Sequence, residues 1–241
     1  MRKRGFTLAE VLITLGIIGV IAAITIPMLI EAYIKKTTAL SVKKAYTELN
    51  QVLKMAIADY GEPLGWDYYG EDELPQWVQT YFAPYVSGAQ HKQCNTMYST
   101  KDCFGLANIY TLSKTVTLRN GYTVSKMGTP VAYTFYRYPA PYNKVTRVRV
   151  YIRNPRRPIL GKDAFTFILT TADENPTFKP YGYGTLGSYG ISTKDRKTLL
   201  GTGWGGCNSK ASGSGYWGPG DACAAVIMMD GWKISKDYPW K

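Results

Sequence analysis

Residues 5–30 read GFTLAEVLITLGIIGVIAAITIPMLI and form the most apolar segment of the chain. No charged residue occurs from Val11 to Ile30. At a rise of about 1.5 Å per residue, roughly twenty helical residues cover the hydrocarbon core of a bilayer. A secretory signal peptide has a shorter apolar segment and an A-x-A-like cleavage site, whereas Ala22 and Ala23 are followed here by ITIP. The stretch therefore predicts a membrane-spanning helix.

The basic residues Arg2, Lys3 and Arg4 precede this segment. Lysine and arginine are enriched on the cytoplasmic side of membrane spans. We therefore expect a cytoplasmic amino terminus, with the residues after Tyr33 on the opposite side. Lys35 and Lys36 oppose this orientation only weakly.

A second helical pattern follows the apolar segment. Apolar residues recur at steps of three and four, which is the spacing of one helix face; they are Val42, Tyr46, Leu49, Leu53, Ile57 and Tyr60. Gly61 and Pro63 supply a stop signal. The pattern predicts one helix from about Thr7 to Tyr60, half in a membrane or helix bundle and half packed on a head domain.

Glu10 stands at the start of the apolar segment, where a carboxylate is unexpected. An acidic side chain inside a membrane costs a few kcal/mol, and less near the edge. Two interpretations are open: Glu10 rests among the lipid headgroups without a role, or it pairs with a partner. The residues around Glu10 favour the second.

The run Gly5-Phe6-Thr7-Leu8-Ala9-Glu10, after a basic leader and before an apolar helix, resembles the processing site of type IV prepilins and type II secretion pseudopilins. The resemblance implies cleavage between Gly5 and Phe6 and N-methylation of Phe6. It also implies that Glu10 serves assembly, because its carboxylate can pair with the Phe6 amine of a neighbouring subunit within an apolar bundle. Pro27 fits too, since pilin helices carry a proline in the apolar half, and a kink near 23–27 is expected.

The same resemblance implies a pilin-like α+β fold, in which one long amino-terminal helix packs on an antiparallel β-sheet head. Its expected parts are a leader at 1–5, an assembly helix at 6–34, an amphipathic continuation at 35–60 and an extracytoplasmic head at 61–241. The implied partners are a prepilin peptidase, other pilin or pseudopilin subunits and an inner-membrane assembly platform. The precursor would lie in the bacterial inner membrane and the mature subunit in a periplasmic or cell-surface filament.

The head shows several further patterns. A short helix is expected around Leu74 to Ala83, and alternating strands at 131–137, 145–153 and 164–170 predict an antiparallel meander. A loop at 119–121 would place Val116 opposite Val124 in a hairpin. Residues 182–220 hold twelve of the 24 glycines, which predicts little intrinsic order there. Helix is favoured over strand at 221–229.

The four cysteines are Cys94, Cys103, Cys207 and Cys223. They form no C-x-x-C pair and His91 is the one histidine, so the spacing is poor for zinc. Outside the cytoplasm an even number of cysteines favours two disulfides, with pairing between sequence neighbours preferred among three connectivities. Reduced thiols in the core are the alternative.

Catalytic motifs are lacking in the sequence. With one histidine no Ser-His-Asp arrangement can be defended, and no phosphate-binding loop or cluster of metal ligands occurs. The carboxylates Asp221, Asp230 and Asp237 are too scattered to support calcium binding. We therefore predict no enzymatic activity, no cofactor and no metal.

A formal charge of +12 calls for an explanation. Arg147, Arg149 and Arg153 alternate onto one face of a predicted strand, and Arg156 and Arg157 follow. Three interpretations remain open: a solvated edge that resists strand pairing, a contact with the acidic 62–73 segment of a neighbouring subunit, or a contact with DNA phosphates.

These patterns predict a structural subunit of a type IV pilus or of a type II secretion pseudopilus. A DNA-uptake minor pilin with a basic head surface is one alternative. A solitary membrane-anchored binding protein of the cell envelope is another. The chemical state of the amino terminus separates the filament subunit from the solitary protein, because only a filament subunit would begin at methylated Phe6.

Overall fold

The computed structural model describes residues 5, 7–63, 66, 73–94, 109–110, 112, 115–116, 121–127, 129–137, 145–153, 158–170, 175–184, 193–213 and 218–240. The chain forms two compact units, Met1–Thr37 and Thr38–Lys241. The division falls within the first helix, so the second unit contains the amphipathic half of that helix together with the head.

Helix α1 runs from Leu8 to Tyr60 without interruption, which confirms the long helix. In the part of the chain that the structure describes, it is the one helix long and apolar enough to cross a membrane. Pro27 lies inside it and removes the N–H that would bond the Ala23 carbonyl. The helix continues past this point, and the kink at Pro27 stays a prediction.

The second half of α1 buries one face in the head, and its buried residues include Val42, Leu49, Val52 and Leu53. Burying one such aliphatic side chain is worth about 1.5–3 kcal/mol. The helix ends at Gly61, whose φ of 76° is left-handed. The Gly61 N–H donates to the Ile57 carbonyl at 2.8 Å, which is a glycine cap that satisfies one of the last free carbonyls.

The remaining elements are short. The helices are α2 (Leu74–Tyr81), α3 (Arg196–Leu199) and α4 (Cys223–Met229), and a 3₁₀ turn spans Ala83–Tyr85. The strands are β1 (Ala89–Cys94), β2 (Ile109–Tyr110), β3 (Thr115–Val116), β4 (Gly121–Lys126), β5 (Ala132–Arg137), β6 (Val145–Tyr151), β7 (Ala164–Thr170) and β8 (Phe178–Pro180). The helices predicted near 74–83 and 221–229 are thus confirmed.

One six-stranded sheet has the order β1-β4-β5-β6-β7-β8. Every pairing in it is antiparallel, as the predicted meander of β5, β6 and β7 requires. The α+β, pilin-like fold class is therefore confirmed.

The predicted hairpin across residues 119–121 is wrong. Val116 lies opposite Ile109 in a separate two-stranded ribbon of β2 and β3. Val124 lies opposite His91 on one side and Tyr133 on the other. Apolar residues on neighbouring strands can pair in more than one way, and β1, which shows little apolar alternation, occupies the position that β3 was expected to take.

The glycine-rich segment is more ordered than predicted over residues 193–213. Backbone bonds cross it, among them Cys207 N–H to the Leu199 carbonyl at 2.8 Å and Ser212 N–H to the Thr202 carbonyl at 2.9 Å. A Cβ on Gly206 would lie 2.3 Å from the Gly201 carbonyl oxygen. Glycine at 206 therefore permits close approach of two backbone segments. The prediction of little order considered only the flexibility that glycine gives to the chain.

Candidate functional site

Thr7 and Glu10 form a reciprocal pair at the start of α1. Glu10 Oε2 accepts hydrogen bonds from the Thr7 backbone N–H and from Thr7 Oγ1, both at 2.8 Å. In return, the Glu10 N–H donates to Thr7 Oγ1 at 3.3 Å. This is a capping box, in which two backbone donors that lack helical partners are satisfied by side chains.

The capping box gives Glu10 a role within its own chain. Sequence reasoning missed this role, although a T-x-x-E pattern before an apolar helix is its signature. Cleavage between Gly5 and Phe6 would leave the box intact, because all of its atoms belong to residues 7 and 10. The carboxylate is exposed and lies in the first helical turn, where the helix dipole favours negative charge. It is therefore positioned to meet a cation from outside the chain.

The other polar side chains near the apolar segment are satisfied by the helix itself. Thr14 Oγ1 donates to the carbonyl of Glu10 at 3.0 Å, and Thr25 Oγ1 donates to that of Ile21 at 2.9 Å. Hydroxyl groups bonded to the preceding turn need no partner from water or lipid. The segment can therefore sit in an apolar environment with its hydroxyl groups already paired.

The predicted basic surface does not exist at Arg147 and Arg149. Both side chains belong to β6 and are fully buried. For Arg147 and Arg149 all three open interpretations are therefore wrong: buried side chains of a strand that lies between β5 and β7 form no solvated edge, and they contact neither DNA nor a neighbouring subunit. The alternation correctly placed these arginines on one face of the strand and Val148 and Val150 on the other face. It cannot reveal that both faces of the strand are buried.

The Arg149 guanidinium forms a buried ion pair with Asp221, with 3.2 Å between Nη2 and Oδ1. Asp221 also accepts from Thr166 Oγ1 and from the Gly218 N–H. Burial has the largest single effect and would lower the pKa of Arg149, but the charge and hydrogen bond of Asp221 together with the nearby Tyr136 and Tyr151 outweigh it, so the pKa lies above its ordinary value. The pair thereby joins the centre of the sheet to the segment that leads into α4.

Arg147 and Arg149 also approach an aromatic ring. Their guanidinium carbons lie 4.7 and 5.8 Å from the centroid of the Tyr136 ring. Cations near a ring face gain electrostatic attraction, and more so when water is excluded. Burial raises the pKa of Tyr136, so this phenol stays neutral. The arginine face is thus a buried polar layer rather than a docking surface.

Arg153, the third arginine of the predicted strand face, is half-buried, with a side chain that is 35% exposed. Its Nη1 lies 3.8 Å from Asp163 Oδ1, and its Nη2 donates to Thr38 Oγ1 of α1. The charge is therefore already engaged within the head. A contact of Arg153 with a partner stays a prediction, and Arg156 and Arg157 lie outside the described residues.

Comparison with known proteins divides the chain into two parts. Residues 1–26 match the prokaryotic N-terminal methylation motif. Residues 28–241 match the model of a family of unknown function (DUF6613).

The chain belongs to that family. The methylation motif is the prepilin signature of type IV pilins and pseudopilins, so the resemblance seen in residues 5–10 is confirmed. The motif and the apolar helix together fit a precursor anchored in the inner membrane. No curated protein and no solved structure gives a significant match.

One of the two predicted disulfides lies in the described part of the chain. Cys207 and Cys223 are joined, which ties the glycine-rich segment to the start of α4. A Cβ on Gly161 would lie 2.8 Å from Cys223 Sγ, so the bridge packs directly against the turn before β7. Cys103 lies outside the described residues, and its pairing with Cys94 stays a prediction.

The scattered carboxylates considered for calcium are already paired. Asp221 binds Arg149, while Asp230 and Asp237 both bind Arg196 of α3. Hydrogen bonds from Arg196 hold the pKa of Asp237 well below its ordinary range. The two ion pairs of Arg196 tie the segment that follows α4 to α3. All three acidic residues therefore have a structural role.

Proposed function

We propose that the protein is a structural subunit of a type IV pilus or of a type II secretion pseudopilus. The precursor is anchored in the inner membrane by α1, cleaved by a prepilin peptidase between Gly5 and Phe6, and methylated at Phe6. The observation that carries the proposal is the methylation motif at residues 1–26, which leads directly into a membrane-length helix.

The exposed apolar half of α1 supports the same proposal. Its large side chains from Leu8 to Ile30 are exposed, and include Leu12 at 61% and Ile24 at 63%. A lipid bilayer and a bundle of like helices both cover such a surface, so the helix can pass from the membrane into a filament. No catalytic step is needed in this function, and the subunit acts by position and contact.

Glu10 supplies the specific step in assembly. A carboxylate within an apolar helix bundle is costly unless a cation compensates it. The Phe6 amine of a neighbouring subunit provides such a cation after the leader is removed. The capping box holds the carboxylate in the first turn of α1, which limits the conformational freedom that Glu10 loses on pairing.

Two measurements test the proposal. Mass spectrometry of the protein from intact fibres should show a chain that begins at methylated Phe6.

Glu10→Gln keeps an oxygen able to accept from Thr7 but removes the charge, and filament incorporation should fall severely. Thr7→Val is the matched control: it removes the hydroxyl group of the capping box and keeps the charge, and incorporation should fall much less. Normal incorporation of Glu10→Gln, or an attached leader in fibres, would contradict the proposal.

The DNA-uptake alternative has lost its main support, because Arg147 and Arg149 are buried. The solitary anchored protein remains distinguishable by the first measurement, since it would retain its leader and would enter no filament.

A further inference from the structure

The charges of α1 and of the segment that follows it are strongly segregated. Between residues 35 and 54 the chain has five lysines and one acid, Glu48. Between residues 55 and 91 it has no lysine or arginine, and its acids are Asp59, Glu62, Asp67, Glu71, Asp72 and Glu73. Asp59, Glu62 and Glu73 lie in the described part of the chain, and we call these three the acidic end.

A groove of about 500 Å³ runs beside the basic part of α1 within the second unit. The buried Val52 and half-buried Met55 contribute apolar surface, and the charged lining residues are Lys43, Lys44, Glu48 and Lys126. We call this surface the lysine groove.

The lysine groove carries an excess of positive charge. Glu48 is already bonded to Lys126 Nζ at 2.7 Å. Lys43 and Lys44 are exposed, and among the ion pairs of the described residues none includes either of them. A groove lined by both apolar and cationic side chains fits an acidic surface that also brings apolar atoms.

We propose that the lysine groove receives the acidic end of a second copy of this chain. This proposal rests on the proposed filament function and names the contact between heads. Charge complementarity favours a second copy, because residues 55–91 of the chain itself contain six acids and no lysine or arginine. Arg147 and Arg149 of β6, for which a contact with the acidic segment was one of three open interpretations, are buried and cannot make it.

The positions of the two surfaces produce a filament rather than a closed dimer. Within α1, Lys44 of the groove and Asp59 of the acidic end are fifteen residues apart, which corresponds to about 22 Å along the axis. The groove lining extends from there to Met55 and Tyr85, and the Tyr85 hydroxyl donates to Asp59 Oδ2 within the same chain. A contact between two different surfaces of identical chains is heterologous and repeats in one direction unless its rotation closes a ring. Copies displaced along α1 by about this distance would place each acidic end beside the lysine groove of the next copy.

The direct test is crosslinking between two populations of full-length chains in one cell. One population carries Gln51→Cys, which marks the groove, and the other carries Ala58→Cys, which marks the acidic end. Both positions are exposed on α1. A short bismaleimide should join the two populations in membranes and filaments. Chains joined Gln51→Cys to Gln51→Cys should be much rarer, because the proposed contact is not symmetric.

Charge reversal then tests the cause. Lys43→Glu with Lys44→Glu in the groove population should lower the mixed crosslink by at least about tenfold. Adding Glu62→Lys with Glu73→Lys to the other population should restore it to within about twofold of the unmodified pair, since the attraction is re-formed with opposite signs. Lys210→Glu with Lys233→Glu is the matched control, because both lysines are exposed and lie outside the groove, and the crosslink should not change.

Absence of the mixed crosslink in fibres, an unchanged yield after reversal, or failure of the compensating reversal would overturn the groove contact. The filament function is tested separately in the same strains, by detecting methylated Phe6 and by measuring how much of the chain is incorporated into fibres. Processed and incorporated chains without the mixed crosslink would refute the groove contact alone, whereas unprocessed chains would refute the proposed function.

Discussion

The buried pair of Arg149 and Asp221 makes the sharpest prediction about stability. The side chains of Arg149 and Asp221 are 1% and 0% exposed. The Asp221 carboxylate also accepts hydrogen bonds from the Thr166 hydroxyl and the Gly218 N–H. Asp221→Asn keeps the size of the side chain but leaves the Arg149 charge buried without its counter-charge. Removing one partner of a buried ion pair destabilises a protein by about 3–5 kcal/mol.

Thermal unfolding of the full-length chain in detergent measures this effect, with tryptophan fluorescence as the signal. For a protein of this size 1 kcal/mol corresponds to about 2–4 °C, so Tm should fall by roughly 6–20 °C. Asp195→Asn is the matched control. Asp195 is exposed and caps α3 through the N–H groups of Lys197 and Thr198, and asparagine caps a helix about as well as aspartate does.

A double-mutant cycle identifies the cause. Arg149→Met alone should also destabilise, since it leaves the Asp221 carboxylate in the core. The variant with both substitutions should lose less stability than the two single losses added together, because neither charge is then left alone. The reasoning fails if Asp221→Asn behaves like Asp195→Asn, or if the two losses simply add.

Two further predictions concern the attachment of peripheral segments to the head. The Asn50 side chain accepts from the Phe178 N–H at 2.9 Å and donates to the Phe178 carbonyl at 3.1 Å. Asn50→Ala should therefore lower the free energy of unfolding, measured by urea titration, by about 1–3 kcal/mol. The control Gln51→Ala, at an exposed position, should change it by less than about 0.5 kcal/mol. Equal effects of the two substitutions would contradict the proposed attachment. Because the Arg196 bonds depress the pKa of Asp237, its carboxylate contributes stability above the ordinary aspartate pKa, and this contribution is lost as the pH falls below it. Asp237→Asn should flatten the decline in Tm below about pH 4, and an unchanged acid profile would show that the Arg196 bonds to Asp237 do not stabilise the fold.

The periodic elements of this protein were predictable, because a repeating pattern carries its own local evidence. Helix α1 shows an unbroken apolar run followed by an amphipathic spacing, and β5 to β7 alternate between two faces. The strands and helices that sequence reasoning missed are β1, β2, β8 and α3. Each is short, and β1 reads AQHKQC with almost no apolar alternation. Such segments are ordered by the partners they pair with, as β1 is by β4.

The lysine groove was not predictable for a related reason. Lys43 and Lys44 were visible as the polar side of an amphipathic helix, but Lys126 lies far along the chain. The groove exists because the end of β4 is brought beside α1, where Lys126 bonds Glu48. The capping box of Thr7 and Glu10 is the opposite case, since it depends on four consecutive residues and its pattern stands in the sequence.

Adjacent residues alone predict processing between Gly5 and Phe6, and they indicate the membrane-length helix and the division of β6 into an arginine face and a valine face. These features depend on composition and on local geometry, which adjacent residues settle. Long-range packing, in contrast, buries Arg149 of the arginine face against Asp221 and brings Lys126 of β4 into one groove with Lys43 and Lys44 of α1. Burial depends on which distant segment covers a surface, and periodicity carries no information about that segment.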